Sequence, residues 1–240
     1  MILGGVSPNR SMRHWSASSL QNYRKRVRFP LDLLVMKQYH SIGKDNIKSN
    51  PFYCFDKLDG SNIRAEWTPK KGFSKFGSRT QLIDESSPLG HLAIPLIRNQ
   101  EDVLGRIFRF LRVQEATTFF ELFGPSSFAG VHKWDEPGFA AVLFDVSLYK
   151  QGIMPPREFL NAFGGFVPVP NLVHIGNVTN QFEQDIWNGT VPGVTFEGVV
   201  CKGAPLKKGY PPHMFKLKSK AWVDKVKSLY TDPKVLKSLL

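Results

Sequence analysis

The chain has 240 residues, 42% of them hydrophobic, which is enough for one large domain or two small ones with a sizeable buried core. No apolar run approaches the roughly 18 uninterrupted residues that a membrane-spanning helix needs, so we expect no membrane partner. The formal net charge of +12 comes from both ends: residues 1–31 carry six Lys or Arg and no acid, and residues 202–240 carry ten Lys against Asp224 and Asp232. Such ends favour a polyanionic partner, although two solvated tails would have the same composition.

Residues 1–35 form a basic, serine-rich extension whose role the sequence leaves open. Its composition is typical of a transit peptide, which would direct the protein to an organelle, but also of a nucleic-acid-binding arm or of an extension ahead of a start at Met36. Cys54 and Cys201 are too few for a disulfide framework, and both lie in apolar runs. We therefore expect reduced core thiols, rather than a disulfide, in a reducing intracellular compartment such as the cytoplasm.

The first predicted strand is the apolar segment Pro51 to Phe55, which ends just before Lys57. In Ser61 to Trp67 the alternation of apolar and polar residues predicts a half-buried strand, and Pro69 to Gly72 predicts a turn that leads back through Phe73 to Gly77. Further strands are expected at Thr117–Phe123, Ala140–Leu148, Val194–Cys201 and His213–Leu217, and helices at Glu101–Val113, Pro156–Phe163, Asn180–Trp187 and, interrupted at Asp232-Pro233, Ser219–Leu240. Long antiparallel strands with helices packed outside them, and little βαβ alternation, indicate an α+β fold.

Lys57, in Lys57-Leu58-Asp59-Gly60, is well placed as a buried amine nucleophile because it stands between a strand and a tight acidic turn. Its pKa would have to fall from about 10.4 to roughly 7–8 for the free amine to be available at neutral pH. Burial, nearby cations or a metal would lower this pKa, whereas a carboxylate against the amine would oppose the change. Lys216 and Lys218, on one face of a strand, are candidate cations; the alternative is an exposed strand face next to a basic tail.

Two acids stand alone in apolar strand-like runs, Glu121 in Phe119 to Phe123 and Glu197 in Val194 to Cys201. A buried carboxylate is costly unless it is paired or binds a cation. Gly198, next to Glu197, would allow close approach of a backbone or a ligand. Each acid could also be the structural partner of an arginine.

In their order along the chain, these residues resemble the motifs of the covalent nucleotidyltransferases, the superfamily of DNA ligases, RNA ligases and mRNA capping enzymes. Any one of the motifs would be a weak signal, but the ordered set is a strong one. The matching segments are Lys57-Leu58-Asp59-Gly60, Ser78-Arg79-Thr80, Phe120-Glu121-Leu122, Leu143-Phe144-Asp145-Val146, Glu197-Gly198-Val199-Val200 and Lys216-Leu217-Lys218.

Within this superfamily the chain is most similar to the phage-type RNA ligases that seal nicks in double strands, and to the related RNA-editing ligases. Asn62 stands where that branch has Asn and DNA ligases generally have Arg, and the run Glu121 to Pro125 resembles its Glu-x-x-Gly-Pro. Lys37 to Ile42 resembles its opening, and the likeness extends to about Tyr230. Asp59 is a departure, because this RNA ligase type often has His there and DNA ligases and capping enzymes have Asp; the preferred polynucleotide therefore stays open.

The resemblance implies an ATP-grasp-like nucleotidyltransferase, or adenylation, domain of antiparallel sheets with flanking helices at residues 36–218. A lysine-rich helical segment follows at 219–240, which is too short for the OB-fold of DNA ligases and capping enzymes. The reaction implied is ATP-dependent: Lys57 forms a lysyl-AMP, the AMP passes to a 5′-phosphate end, and a 3′-hydroxyl displaces it to seal the strand. The partner would be RNA or a nicked duplex, and we expect a monomer.

The resemblance also assigns roles to the residues at the motif positions. Lys216 and Lys218 would hold the α-phosphate, Arg79 the ribose or a phosphate, and Glu121 the ribose hydroxyls, while Phe144 would stack on adenine and Glu197 would bind Mg²⁺ or Mn²⁺. Asn62 and Lys202 are expected to contact phosphate or polynucleotide. Asp59 is expected either at the nucleotide or as a carboxylate that stabilises its turn, and Asp145 is expected to be structural.

Three other functions remain open on the sequence alone. DNA-type nick sealing shares all the motifs, and a guanylyltransferase of the capping type shares Lys-x-Asp-Gly but would use GTP. A non-catalytic nucleic-acid-binding domain could have kept the fold, although such a domain has no use for a desolvated lysine flanked by two isolated acids.

Overall fold

The protein is described here from a computed structural model. The structure describes residues 36–40, 42, 51–204 and 212–240. The basic extension expected at residues 1–35 lies outside the described residues. Residues Lys37–Leu240 form one compact unit, and the fold below is the fold of that unit.

The strands of this unit form two sheets in which every neighbouring pair is antiparallel. In chain order the described strands are β1 (Phe52–Asp56), β2 (Ser61–Thr68), β3 (Gly72–Gly77), β4 (Leu82–Ile83), β5 (Ala116–Phe123), β6 (Ala140–Leu148), β7 (Gly152–Ile153), β8 (Leu172–Gly176), β9 (Gly198–Lys202) and β10 (Met214–Lys218). One sheet has the order β10-β9-β1-β8, and the other has the order β4-β3-β2-β5-β6-β7. The α+β class predicted from the sequence is confirmed.

Helices lie outside the two sheets. The described helices are α1 (Pro88–Arg98), α2 (Glu101–Phe110), α3 (Pro156–Phe163), α4 (Asn180–Asn188), α5 (Lys220–Leu229) and α6 (Pro233–Leu239). Within the described ranges, none of them is long and apolar enough to cross a membrane.

The largest core lies between the six-stranded sheet and helices α1 to α3. The alternation of β2 directs Ile63, Ala65 and Trp67 into it, each with at most 1% of its surface exposed. The Trp67 ring packs on Phe108 of α2, with 4.9 Å between the ring centroids. Burying an aromatic side chain of this size contributes about 1.5–3 kcal/mol, so the predicted apolar face of β2 anchors the sheet to its helices.

Two smaller cores complete the unit. Phe52 of β1 and Phe215 of β10 pack with Ile186 of α4 on the four-stranded sheet. Trp222 and Val226 of α5 pack with Phe128, which belongs to the loop after β5. The second of these cores attaches the C-terminal helices to the rest of the unit.

The structure contains elements that the sequence analysis did not predict, and it moves the start of one predicted strand. Helix α1 was not predicted, because Pro88, Gly90 and Pro95 look like helix breakers; Pro88 instead occupies the first helical turn, and the Ser87 hydroxyl caps the helix by accepting from Gly90 N. Strands β4, β7 and β8 were not predicted either; β4 and β7 have only two residues each. Finally, β9 begins at Gly198 and not at Val194, so the strand prediction was wrong for Glu197.

The two cysteines are cross-strand neighbours. Cys54 of β1 pairs with Cys201 of β9 in the register, and their Sγ atoms are 3.2 Å apart. Both thiols are free and buried, as expected. The contact with Cys54, together with burial, raises the pKa of the Cys201 thiol.

Candidate active site

A cavity of about 460 Å³ opens between the two sheets. The four-stranded sheet contributes β1, β9 and β10 to its wall, and the six-stranded sheet contributes β2, β5 and β6. All the site residues predicted from the sequence line this one cavity: Lys57, Asp59, Asn62, Arg79, Glu121, Phe144, Glu197, Lys202, Lys216 and Lys218.

Lys57 follows directly after β1, where its backbone N–H donates to Gly198 O at 2.9 Å. Its Nζ donates to Glu197 Oε2 at 2.6 Å, and a quarter of the side chain is exposed (25%). Burial alone would lower the pKa of Lys57, but the carboxylates of Glu197, Glu121 and Asp59 outweigh it and hold the pKa above its usual value. The fall in pKa that a free amine at neutral pH would require is thus opposed by the carboxylate that lies against the amine.

Glu197 bridges two lysines. Its Oε2 accepts from Lys57, and its Oε1 accepts from Lys218 Nζ at 3.0 Å. The side chain is buried, so the two ammonium groups supply the pairing that a buried carboxylate needs. Gly198 makes this position possible: its φ is +137°, and a Cβ there would come within 2.0 Å of Leu217 O. The close approach predicted at Gly198 is thus to the backbone of β10.

Lys218 has contacts that the sequence did not indicate. Besides Glu197, its Nζ donates to Leu239 O at 2.5 Å and lies 3.6 Å from the centroid of a Trp222 ring. Burial lowers the pKa of Lys218 to about 8, although Glu197 opposes the change. The end of α6 therefore reaches into the cavity, where Leu239 is part of the wall.

Glu121 lies on β5, opposite Asn62 of β2 in the strand register. Its Oε1 accepts from Gly60 N at 3.0 Å, so it also holds the turn after Lys57. Burial raises the pKa of Glu121 to about 8, and nearby Glu197 and Asp59 add to the rise while Lys57 opposes it. Asn62 Oδ1 is a buried polar atom with no hydrogen-bond partner in the described part of the chain.

Asp59 connects the Lys57 turn to two other segments. Its Oδ1 accepts from Ala129 N at 2.8 Å, and its Oδ2 accepts from the indole Nε1–H of Trp222 at 2.6 Å. Both oxygens therefore have hydrogen-bond partners inside the protein, as the structural alternative for Asp59 requires, and its contact with a nucleotide stays a prediction. Trp222 was not among the predicted site residues.

Lys202 is directed into the wall of the cavity. It is buried, and its Nζ donates to Asp145 Oδ2 at 2.9 Å and to Phe144 O at 2.7 Å. The ammonium of Lys202 thus neutralises a buried carboxylate, and its expected contact with phosphate or polynucleotide stays a prediction. Asp145, which also accepts from the Tyr39 hydroxyl, is structural as expected.

The remaining predicted site residues differ in how far their side chains are exposed. Phe144 is half-buried, and its ring meets the Tyr39 ring edge-on at 5.1 Å between centroids. Arg79 is exposed on the loop after β3, and Lys216 is half-buried on β10. Tyr39 and His40 also line the cavity; no role was predicted for them beyond the resemblance of their segment to a ligase opening.

The antiparallel α+β fold, with a cavity between its sheets, is similar to the fold of solved RNA ligase structures. Similar solved structures include those of an RNA ligase from Naegleria gruberi. A lysine-to-alanine variant with ATP and Mn has a TM-score of 0.53 at 20% sequence identity, covering 75% of this chain and 53% of that chain. An arginine-to-alanine variant with ATP and Mn also has a TM-score of 0.53 at 20% identity, with coverages of 80% and 58%.

The same RNA ligase with PPi has a TM-score of 0.50 at 22% identity, covering 75% of this chain and 53% of the other. The chain thus spans about half the length of the RNA ligase structures that it matches. No protein-family model and no curated protein matches the sequence. The likeness therefore concerns the fold.

Proposed function

We propose that the protein is an ATP-dependent RNA ligase that forms a covalent lysyl-AMP at Lys57, transfers the AMP to a 5′-phosphate end and seals that end to a 3′-hydroxyl. The observation that carries this proposal is the cluster of Lys57, Glu197 and Lys218, joined by contacts of 2.6 and 3.0 Å on one wall of the cavity. An amine nucleophile, a carboxylate and a second cation are the groups that covalent nucleotidyl transfer needs. The likeness in fold to an RNA ligase with ATP and Mn supports the same conclusion.

The first step is an attack of the Lys57 amine on the α-phosphorus of ATP. A bond forms between Nζ and phosphorus, the bond from phosphorus to the bridging oxygen breaks, and pyrophosphate leaves. Because the resting amine is protonated, it must lose a proton before the attack. Glu197 Oε2, at 2.6 Å, is the acceptor within reach of that proton.

Lys216 and Lys218 would hold the phosphates from β10. Lys218 has three N–H donors, and its neighbours are Glu197, Leu239 O and the Trp222 ring. A phosphate would therefore replace one of these contacts. Its pKa of about 8 leaves Lys218 mostly protonated at neutral pH, as an electrostatic role requires.

The nucleoside would lie against the six-stranded sheet. Phe144 offers a half-buried ring for stacking on adenine, and Glu121, largely protonated at neutral pH, can both donate to and accept from ribose hydroxyls. Arg79 would contact the ribose or a phosphate from the rim. Asn62 Oδ1, which lacks a partner among the described residues, would be satisfied by the substrate.

A divalent cation would be held at this site by a carboxylate together with the phosphates of the nucleotide. In the described part of the chain no three His, Cys, Asp or Glu side chains are grouped to hold a metal ion. Glu197 is the carboxylate that would bind Mg²⁺ or Mn²⁺, and Mg²⁺ commonly binds through one or two carboxylates plus substrate phosphates. Such an ion would neutralise charge on the phosphates.

The branch of ligase is also a proposal. Asn62 and the run Glu121 to Pro125 favour the phage-type nick-sealing RNA ligases, with RNA or a nicked duplex as the partner. We assign the adenylation domain to residues 36–218 and the basic helical segment to 219–240, acting as a monomer in a reducing compartment.

Covalent labelling tests the proposal. Purified protein is incubated with Mg²⁺ and α-³²P-ATP or α-³²P-GTP, before and after pyrophosphate treatment that removes bound AMP. We expect a labelled band with ATP that is absent in Lys57→Ala, whereas Lys75→Ala, which removes a lysine paired with Glu66, keeps the label. Label with GTP alone would indicate a capping-type enzyme, and no label with either nucleotide would contradict the proposal.

A further inference from the structure

An exposed aromatic ring borders the Lys57 cluster. Phe196 directly precedes Glu197 and is 37% exposed. Lys225 of α5 places its Nζ 5.3 Å from the centroid of the Phe196 ring and 4.1 Å from that of Phe128. The two rings are 6.3 Å apart, so one ammonium lies over both. We call Phe196, Phe128 and Lys225 the aromatic platform.

The platform is held rigidly at two points. The Ser219 hydroxyl donates to Phe196 O at 2.6 Å, and Ser219 N donates to Glu197 O at 2.9 Å. Phe128 is paired with Val131 by two backbone hydrogen bonds, of 2.9 and 3.0 Å. A ligand that stacks on Phe196 would therefore meet a ring that is already ordered, which lowers the entropic cost of binding.

The platform is continuous with the candidate active site. Glu197, the residue after Phe196, contacts Lys57, and Ala129, the residue after Phe128, donates to Asp59 in the Lys57 turn. A chain that leaves the cavity near Lys57 would therefore pass the platform. Val131, 60% exposed and paired with Phe128, extends the apolar surface.

The chemistry of this surface fits one class of partner. Every nucleic-acid base has a π-face that stacks on aromatic rings, and lysines beside the rings attract the phosphates. Asp224, the acid next to Lys225, is paired with Lys220, so the charge that faces outward is positive. The same combination would not favour an acidic ligand without bases or a purely apolar one.

We propose that the aromatic platform binds a single strand of nucleic acid as it leaves the cavity, with a base on Phe196 and a phosphate near Lys225. This inference rests on the proposed function, because it assigns the position of the polynucleotide relative to Lys57. It gives Phe196 and Lys225 a role in binding and none in the chemical steps.

Fluorescence anisotropy with a short fluorescein-labelled RNA and a matched abasic strand tests the platform. Replacing Phe196 by Ala or by Leu, which keeps apolar volume without a π-face, should weaken binding of the RNA about tenfold and hardly affect the abasic strand. Lys225→Ala should weaken both strands and reduce the slope of log affinity against log salt by about 0.7.

The chain offers matched controls for both substitutions. Phe110, 86% exposed on α2, lies outside the platform, so Phe110→Ala should bind as the wild type does. Lys70 is exposed in the turn between β2 and β3, away from α5 and the platform, so Lys70→Ala removes the same charge and controls for net charge. Unchanged RNA affinity in both Phe196 variants, or an equal loss on the abasic strand, would overturn the inference.

The labelling experiment separates the two proposals. If the wild type forms lysyl-AMP while the Phe196 and Lys225 variants bind RNA as well as it does, the platform is wrong and the ligase stands. If ATP gives no label, the ligase proposal fails. Comparing the affinities for the RNA and for the abasic strand still tests whether the platform binds bases. Urea unfolding of each variant shows whether an affinity change reflects loss of the folded state.

Discussion

Burial lowers the pKa of the Lys57 amine, and three neighbouring carboxylates raise it. Replacing Glu197 by Gln keeps the size and one acceptor oxygen but removes the charge that lies 2.6 Å from Nζ. We expect the pKa of Lys57 to fall, because burial then meets less opposition from neighbouring charges. The pH dependence of Lys57 modification by trinitrobenzenesulfonate, followed by mass spectrometry of the peptide, measures the change.

Glu66→Gln is the matched control for this substitution. Glu66 forms an ion pair with Lys75 at 3.5 Å, so the variant loses the same charge from another pair. Its Lys57 should react over the same pH range as in the wild type. If Glu197→Gln also left that range unchanged, the carboxylate would not be what keeps the amine protonated.

Glu121 links the site to the pH dependence of stability. Its pKa is raised to about 8 in the folded protein from 4.5, so the folded state holds a proton that the unfolded state has released between these values. Stability conferred by Glu121 is therefore complete below pH 4.5 and is lost as the pH rises through 8. The loss amounts to at most about 5 kcal/mol of unfolding free energy, because each pH unit between the two pKa values contributes about 1.4 kcal/mol.

Glu121→Gln tests this by urea unfolding between pH 5 and 8. The amide still accepts from Gly60 N but does not titrate, so the variant should lose clearly less stability than the wild type as the pH rises. Parallel curves for the two proteins would show that Glu121 is ionised in the folded state at neutral pH.

At the level of secondary structure, strand β9 begins at Gly198, a position that only glycine fits. An alanine at Gly198 would combine a φ of +137° with a Cβ 2.0 Å from Leu217 O. We expect Gly198→Ala to cost about 3–4 kcal/mol in unfolding free energy, because β9 and β10 cannot separate without losing their pairing. Lysyl-AMP formation should fall as well, since Glu197 would move with the strand.

Gly189, which ends α4, separates the backbone effect from the clash. It also has a positive φ, of +69°, but a Cβ there would meet nothing within 4 Å. Gly189→Ala should therefore cost only about 1–2 kcal/mol, measured by the same urea unfolding. Equal losses in the two variants would mean that the close approach to β10 does not matter.

The elements also show which parts of the fold a sequence can predict. Strands β5 and β6 and helix α3 were predicted because apolar periodicity and turn residues determine them locally. The Lys57 motif and the two acids were singled out because each stands beside or within an apolar run, and the fold brings them to one cavity. The hydrogen bond from Trp222 to Asp59 was not predicted, because its partners are 163 residues apart. The contact of Lys218 with Leu239 involves a backbone carbonyl, which has no side-chain signature at all.

Across the whole molecule, the net positive charge belongs to the two ends of the sequence, and the residues between them are nearly neutral. The described C-terminal helices α5 and α6 expose five lysines: Lys220, Lys225, Lys227, Lys234 and Lys237. Residues 1–31 add six more basic side chains. Since Lys57, Lys202 and Lys218 are paired with acids inside the fold, the net positive charge available to a polyanion belongs to the ends of the chain.

This distribution predicts a strong dependence of polynucleotide binding on salt. If about six phosphates are neutralised, log affinity should fall with log salt with a slope of about 4–5, because each phosphate contributes about 0.7 in a single strand and about 0.9 in a duplex. Binding of a labelled RNA, titrated at several salt concentrations, gives the slope. One variant replaces the five exposed helix lysines by Gln, and another replaces the six basic residues of 1–31 by Gln. The decrease of the slope in each variant gives the contribution of that end of the chain. A slope near zero in the wild type would remove the charged ends from substrate binding and leave the cavity to hold the strand alone.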